Sequence, residues 1–501
     1  MDSNTPPGPR PSLLMDLRPC YEGFAGIPQE ARLLFAQFAQ MGLRSLGGLA
    51  SGIHFVRKRR SAAPDPTPFE HVLTQTRALI VQDTKMHHIP LLAALLPKAL
   101  RRRAGHAYLI AAYGGRAEPL SQTIDPVMFE DFLWTKLFER TLAPADRAFV
   151  ARARYFATEI GHENARSLCF LPRVLQRRVD TTGWDLFFGC TVSPYRVSKG
   201  TAMMIRYYDP LPLLSPHTVG EPWPHANSHA RMLHRNITDG ATLICDSEPI
   251  RTDVLTLFPK AEHQVRTIPC IVAPEYKPDV RPQAELRGIL RRRASKATAP
   301  ARERDRQPPA GPMPRLVMAV STLEPRKNYL RLFRAFELAR RTCPDPIQLL
   351  VVANPGWRSD DELAALKALV AEGAYHLAGV PLPELRVLYS MAHLVVAPSR
   401  AEGFDYSGVE AMACGAPVLA SDTAVHRWVY GDAAEYADGY DEEALGDAIG
   451  GLVALPREEG KLADMQERGF RRAALYQAST LRPRWEQTVL EIAAARHTAP
   501  T

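Results

Sequence analysis

The chain has 501 residues, 46% of them hydrophobic and 23% charged, which is too long for one core and too apolar to be disordered throughout; two to four domains are expected at roughly 150 residues each. Its seven cysteines are scattered, odd in number and never spaced C-x-x-C, which excludes a disulfide scaffold and points to a reducing compartment. The net charge of +8 is clustered at residues 57–60, 101–103, 177–178 and 291–293, and would suit nucleic acid, an anionic membrane surface, a phosphorylated substrate or simply solvated faces.

No apolar run approaches the ~18 residues of a membrane span, and the first residues lack a basic-then-apolar leader, so a soluble cytoplasmic chain is expected. In chain order, Leu13 to Leu17 reads as a buried strand. A loop containing Gly23 and Gly26 follows, then a helical run from Gln29 to Ala39, the opening of a doubly wound α/β domain. From Ser61 to Val179 helical patterns dominate, at Leu92 to Arg103, Met128 to Arg140 and Asp146 to Ile160. Strand-like runs return at Trp184 to Phe188, Ala202 to Tyr207, Ala241 to Cys245 and Val265 to Ile268. Residues 279–314, rich in Arg, Ala and Pro, read as a flexible linker. Beyond it, apolar strands at Leu316, Gln348, Tyr375, Leu394, Val418 and Glu435 alternate with helical runs, the pattern of a parallel sheet covered on both faces. Two α/β domains with a cleft between them are expected: residues 1–278 and 315–480, with 481–501 as a helix returning to the first.

Two loops of the second domain carry chemistry. Ser321 to Asn328 (STLEPRKN) follows a strand and opens a helix, so Arg326 and Lys327 stand beyond the carboxyl end of the sheet at the positive end of a helix dipole. A bound phosphate would relieve their repulsion; a solvated basic pair with Asn328 capping the helix is the alternative. Pro398 to Gly415 (PSRAEGFDYSGVEAMACG) has the same strand–loop–helix setting. Glu402 and Glu410 lie eight residues apart, and Gly403 lets the backbone approach a ligand. Carboxylates accept paired sugar hydroxyls, although Glu410 would also complement the helix dipole.

Taken together, Leu323 to Asn328, the Glu402–Glu410 pair within PS-x-x-EGF and EAMACG, Leu377 to Val380 and Gly431 to Ala434 resemble the family 4 glycosyltransferases of the retaining GT-B class. The resemblance covers roughly residues 315–455 and is weaker in the first half, at Asp16 to Pro19, Gly26 and Asp246–Ser247. It implies two Rossmann-like domains facing each other across a cleft. It also implies a nucleotide-diphospho-sugar donor, best matched by GDP-mannose, and no cofactor or metal. Arg326 and Lys327 would neutralise the diphosphate, Glu410 would hold the ribose, and Glu402 with the backbone of Gly403, Phe404 and Asp405 would grip the sugar. In the first domain, Gly26 would face the donor and Asp209 the reaction centre. Tyr208 stands where the family has histidine; Tyr208 itself, or His217 or His225, would then meet the sugar. Asp405 stands where many members have glycine, as a sugar ligand, a helix cap, or both.

The expected partners are an oligosaccharide or lipid-linked acceptor of a surface glycan such as lipopolysaccharide, and no nucleic acid. Leu91 to Arg103 would lie on the anionic inner face of the plasma membrane or pack as a core helix with a basic end. A non-catalytic GT-B module in an assembly complex and a phosphorylase of the same fold are the rival readings.

Overall fold

The computed structural model describes residues 10–21, 23–24, 26–50, 67–83, 117–120, 122–157, 162–176, 178–220, 222–298 and 311–498. Leu91 to Arg103 lies outside them. The strands of the first half are β1 (Ser12–Asp16), β2 (Ser45–Ala50), β3 (Ala117–Pro119), β4 (Gln122–Ile124), β5 (Arg154–Ala157), β6 (Arg178–Asp180), β7 (Leu186–Gly189), β8 (Ala202–Tyr207), β9 (Thr242–Cys245) and β10 (Val265–Thr267). Eight of them form one sheet in the order β10-β9-β8-β7-β1-β2-β5-β4, parallel except for β4, while β3 and β6 pair separately. The second half contributes β11 (Arg315–Val320), β12 (Ile347–Val352), β13 (Tyr375–Leu377), β14 (Leu394–Ala397), β15 (Val418–Ser421) and β16 (Ala434–Ala437), in the parallel order β13-β12-β11-β14-β15-β16.

That second order reverses direction between β11 and β14. The loops leaving those two strands therefore diverge to opposite faces and open a crevice at the carboxyl edge, where ligands of such sheets bind. They are the two loops singled out in the sequence. In the first sheet the reversal falls between β1 and β7, and the loop after β1 leads through Gly26 into α1 (Ile27–Ala39).

Several expectations need correction. The run Asp146 to Ile160 is a short helix, Arg147–Arg152, followed by β5, whose Tyr155, Phe156 and Ala157 are buried between β2 and β4. Met128 to Arg140 is a single turn, Glu130–Leu133, continuing into a π-type turn, Trp134–Phe138. The linker reading fails for part of 279–314, where residues Gln283–Arg292 form α2. Its Leu286, Ile289 and Leu290, spaced i, i+3 and i+4, bury one face. The residues just after it dock on the second domain, through Ser295 N to His376 O at 2.8 Å and Ala378 N to Arg293 O at 3.1 Å.

The remaining helices that matter to the site are α3 (Tyr329–Thr342), α4 (Tyr406–Ala413), α5 (Ala424–Tyr430) and α6 (Ala478–Thr498). α6 returns to the first domain. Trp485 is fully buried there, edge-on to Phe38 and Phe188 with centroids 5.5 and 5.8 Å away. Each such aromatic pair adds about 0.5–1.5 kcal/mol beyond area burial. Where the chain crosses between domains, Val272 N donates to Tyr476 O at 2.9 Å, so the outgoing and returning segments lie side by side.

Beneath the first-domain side of the cleft, Arg206 and Glu30 form an ion pair with neither side chain exposed, at 2.6 Å for Nη2–Oε1 and 3.2 Å for Nε–Oε2. Arg206 also donates to the carbonyls of Ile244, Cys245 and Ile268. The pair ties α1 to β8 and sets the floor under Tyr208, whose ring lies 5.5 Å from the guanidinium.

Candidate active site

The turn Pro325–Lys327 and the loop before α4 face each other and are joined by charge. Arg326 Nη1 donates to Glu402 Oε2 at 2.6 Å and Lys327 Nζ to Glu402 Oε1 at 2.5 Å. Burial alone would raise the Glu402 pKa, but the two cations reverse this and hold the carboxyl below its ordinary value. The same partnership drives the Arg326 pKa upward against the pull of burial. Glu402 thus sits as the counter-ion of both cations rather than standing free toward the cleft.

Asn328 does not cap α3 with its side chain. Instead Nδ2 donates to the carbonyls of Pro398 and Gly439, at 3.1 and 2.7 Å, and ties the two loops together. Its backbone is left-handed (φ 62°), a conformation asparagine tolerates. A further bond, Arg400 N to Arg326 O at 2.9 Å, closes the pairing of the loops.

Gly403 touches the first domain. A Cβ there would run into the Tyr208 carbonyl oxygen and come within 2.7 Å of Asp246 Oδ2, while Ser247 Oγ donates to the Gly403 carbonyl at 2.7 Å. The Phe404 ring turns inward, edge-on to Tyr476 at 5.0 Å and Tyr406 at 5.4 Å, leaving only its backbone for a ligand. Asp405 caps α4, Oδ1 accepting from Ser407 N at 3.2 Å, and gives its other oxygen to His426.

Glu410 is buried, with Gln29 Nε2 and Tyr389 Oη each 3.3 Å from its carboxyl oxygens. Burial pushes its pKa up to about 8, against the hydrogen bonds from Gln29, Tyr389 and Tyr276. A carboxyl whose folded pKa lies above its unfolded value stabilises the fold fully below the unfolded value, and that contribution is lost as pH rises toward the folded one. Between about pH 4.5 and 8 the wild-type melting temperature is therefore expected to fall relative to Glu410→Gln. Parallel curves in thermal scans across that window would contradict the assignment.

On the opposite wall, the Tyr208 hydroxyl is buried with no partner among the described residues. Asp209 accepts from Leu211 N at 3.1 Å; burial raises its pKa, opposed by the charge of Arg326, which places it electrostatically in the site. Gly26 takes φ 67° with nothing within 4 Å of a Cβ, so backbone conformation and not space is what glycine supplies. His217 offers its carbonyl to Arg358 at 2.9 Å, and His225 stacks on His229. A cavity of about 480 Å³, lined by His217, Arg331, Arg358 and Arg400 among others, opens beside the Pro325 turn. Among the described residues no group of three His, Cys, Asp or Glu could hold a metal ion, and no helix is long and apolar enough to cross a membrane. Sequence reasoning missed Glu30 and His426, and gave Asp246 no role in the site; none of the three belongs to a recognisable spacing.

Residues 301–472 match the family described as Glycosyl transferases group 1. Over 216 residues the chain is 27% identical to O-antigen chain mannosyltransferase B of Escherichia coli, covering 43% of this chain and 52% of that protein. Over 151 residues it is 34% identical to the GDP-mannose-dependent alpha-(1-6)-phosphatidylinositol monomannoside mannosyltransferase of Mycolicibacterium smegmatis, 28% of this chain and 39% of that one. The chain thus spans about half or less of the length of these curated relatives. The solved sucrose-phosphate synthase of Thermosynechococcus elongatus superposes with a TM-score of 0.55 at 17% identity, over 97% of this chain and 100% of that one. The protein has the two-domain GT-B fold, and its second domain is similar in sequence to the group 1 glycosyl transferases.

Proposed function

We propose that the protein is a retaining glycosyltransferase that moves a sugar, mannose from GDP-mannose, onto a surface glycan or lipid-linked acceptor at the cytoplasmic face of the membrane. The observation that carries this is the pair of cations Arg326 and Lys327, held by Glu402 at the switch point of the second sheet, with Asp209 of the first domain close enough to interact with Arg326. The names of the bacterial mannosyltransferases it resembles support the sugar and the acceptor class.

In the reaction, an acceptor hydroxyl oxygen bonds to the anomeric carbon on the face from which the diphosphate leaves. The bond from that carbon to the diphosphate oxygen breaks with its electron pair, and the hydroxyl proton passes to the departing phosphate. Arg326 and Lys327 meet the charge that develops on the leaving group; fixed cations in a water-poor cleft act strongly on such charge. The backbone of Gly403 to Asp405 and the Tyr208 hydroxyl would grip the sugar, Glu410 would accept from the ribose once Gln29 yields, and Gly26 would face the phosphates. No cofactor enters this reading.

The test needs no acceptor. Calorimetry of GDP and UDP should show one of them binding, and Lys327→Ala should weaken it by about 1.5–3 kcal/mol, the range for a charge-assisted contact. Unchanged affinity would remove the phosphate role.

A further inference from the structure

Among the buried titratable groups of the site that the transfer step does not use is a histidine. His426, in α5, is completely buried. Its Nε2 lies 3.1 Å from Asp405 Oδ2 and its Nδ1 2.8 Å from the Ser421 carbonyl. A carbonyl oxygen and a carboxylate only accept, so both ring nitrogens must carry hydrogen, which is true only of the imidazolium. Ser421 Oγ, 3.1 Å from Nδ1, is itself bonded to the Ser399 carbonyl and offers the ring a lone pair rather than a proton.

Asp405 is ionised in this arrangement. Its Oδ1 accepts from both Ser407 N and Ser407 Oγ, at 3.2 and 2.7 Å. Burial opposes ionisation, but His426, Lys327 and Ser407 hold the carboxyl well below its usual range. The Asp405 backbone is left-handed (φ 61°), and Tyr430 Oη, 3.3 Å from its carbonyl, clamps the residue from a second side. The Tyr430 ring stacks on His426 at 5.3 Å. The charges of this cluster are Arg326, Lys327 and His426 against Glu402 and Asp405, with Glu324 3.6 Å from Arg326 and Asp209 also acting on it. Whatever the state of those last two carboxyls, the protonated histidine makes the cluster one charge more positive than the neutral ring does.

We propose that His426 is a positioning residue of the donor loop: as a buried imidazolium it locks Asp405 in its left-handed conformation and offsets its charge, so that the Arg326–Lys327 pocket is more positive toward a nucleoside diphosphate. The second half of this statement rests on the donor-site reading above. The groups facing the pair are Asp405, the cap of α4, Ser407 of α4, Glu402 of the loop before it, Ser421 of β15, Tyr430 of α5 and, through Asp405 and Glu402, Lys327 of the Pro325 turn; Tyr436 of β16 reaches only the His426 carbonyl. Burial lowers the His426 pKa, but Asp405 and the Ser421 carbonyl more than reverse this. The proton is therefore kept below the ordinary histidine value and lost as pH rises through the folded one. Diphosphate affinity should fall over that window.

The discriminating variants are His426→Leu and the double change Asp405→Gly with His426→Leu. Glycine adopts φ 61° without strain and brings no carboxylate to neutralise. Nitrogen-15 histidine spectra of the whole chain at pH 7 should show both His426 ring nitrogens protonated. His426→Leu should lower the melting temperature. It should also weaken the best binder among GDP, UDP, ADP and dTDP about tenfold, the equivalent of 1.4 kcal/mol. The double variant should recover most of both and lose the pH dependence. A neutral ring at pH 7, or a double variant no better than the single one, overturns the proposal. If the wild type binds none of the four nucleotides, the donor reading fails instead, and the ring protonation and the melting-temperature rescue still decide the role of His426.

Discussion

Glu402→Gln should make the ligand-free protein less stable and, at the same time, more responsive to nucleoside diphosphate. In the wild type one buried carboxylate answers two adjacent cations. Removing its charge takes from Lys327 its ion-pair partner at 2.5 Å and leaves Arg326 with the more distant Glu324, 3.6 Å away. Breaking a buried ion pair in this way costs about 3–5 kcal/mol, a drop on the order of 6–12 °C at the lower figure for a domain of this size. A diphosphate supplies the missing anion. The thermal shift produced by saturating GDP or UDP should therefore exceed that of the wild type, even though sugar transfer is lost. Scanning fluorimetry with and without nucleotide reads both effects. A variant whose nucleotide-induced shift is smaller than the wild type's would show that the phosphates do not meet these cations.

Gly403→Ala tests the other half of the site. An added methyl group meets the Tyr208 carbonyl, which belongs to β8's following loop and is held from below by the Arg206–Glu30 pair, so neither partner yields cheaply. The expected result is a cleft that no longer closes at this point, with the Ser247 to Gly403 bond broken. Misplacement of about 1 Å at a reaction centre is enough for a roughly 100-fold loss of turnover. Affinity for the diphosphate, which depends on the Pro325 turn, should stay within about threefold. Calorimetry alongside a transfer assay separates the two. Equal losses in both would mean that Gly403 shapes the nucleotide pocket itself and not the closure.

How much of this was legible in the sequence depends on the element. The second domain announces itself because its strands are unbroken apolar runs, buried on both faces, and its site loops lie at their carboxyl ends. β2 does not. Its SLGGLA sequence offers two glycines where a strand reader looks for Val or Ile, and it is a strand because Trp184, Leu14, Leu17 and Tyr155 crowd the positions where side chains would be. α2 was hidden by its own arginines, which line the exposed side of a helix whose three apolar residues do the packing. The cations and carboxylates of the two loops could be named from their spacing, but not their pairing. Glu402 and Lys327 are 75 residues apart, and Glu30 and Arg206 are 176 apart. Such pairs arise from topology, which brings loops together at a sheet's switch point, and leave no local period to read. His426 is silent for the same reason.

The chain passes between the domains twice, and Val272 and Tyr476 bond those two passages to each other. Two parallel tethers fastened at one point act as a door hinge rather than a rope. A swing of the domains about that seam would keep the bond, whereas a slide of one past the other would break it. A second bridge between the domains, Trp357 Nε1 to the Thr218 carbonyl at 3.1 Å, lies outside the seam and would open in such a swing.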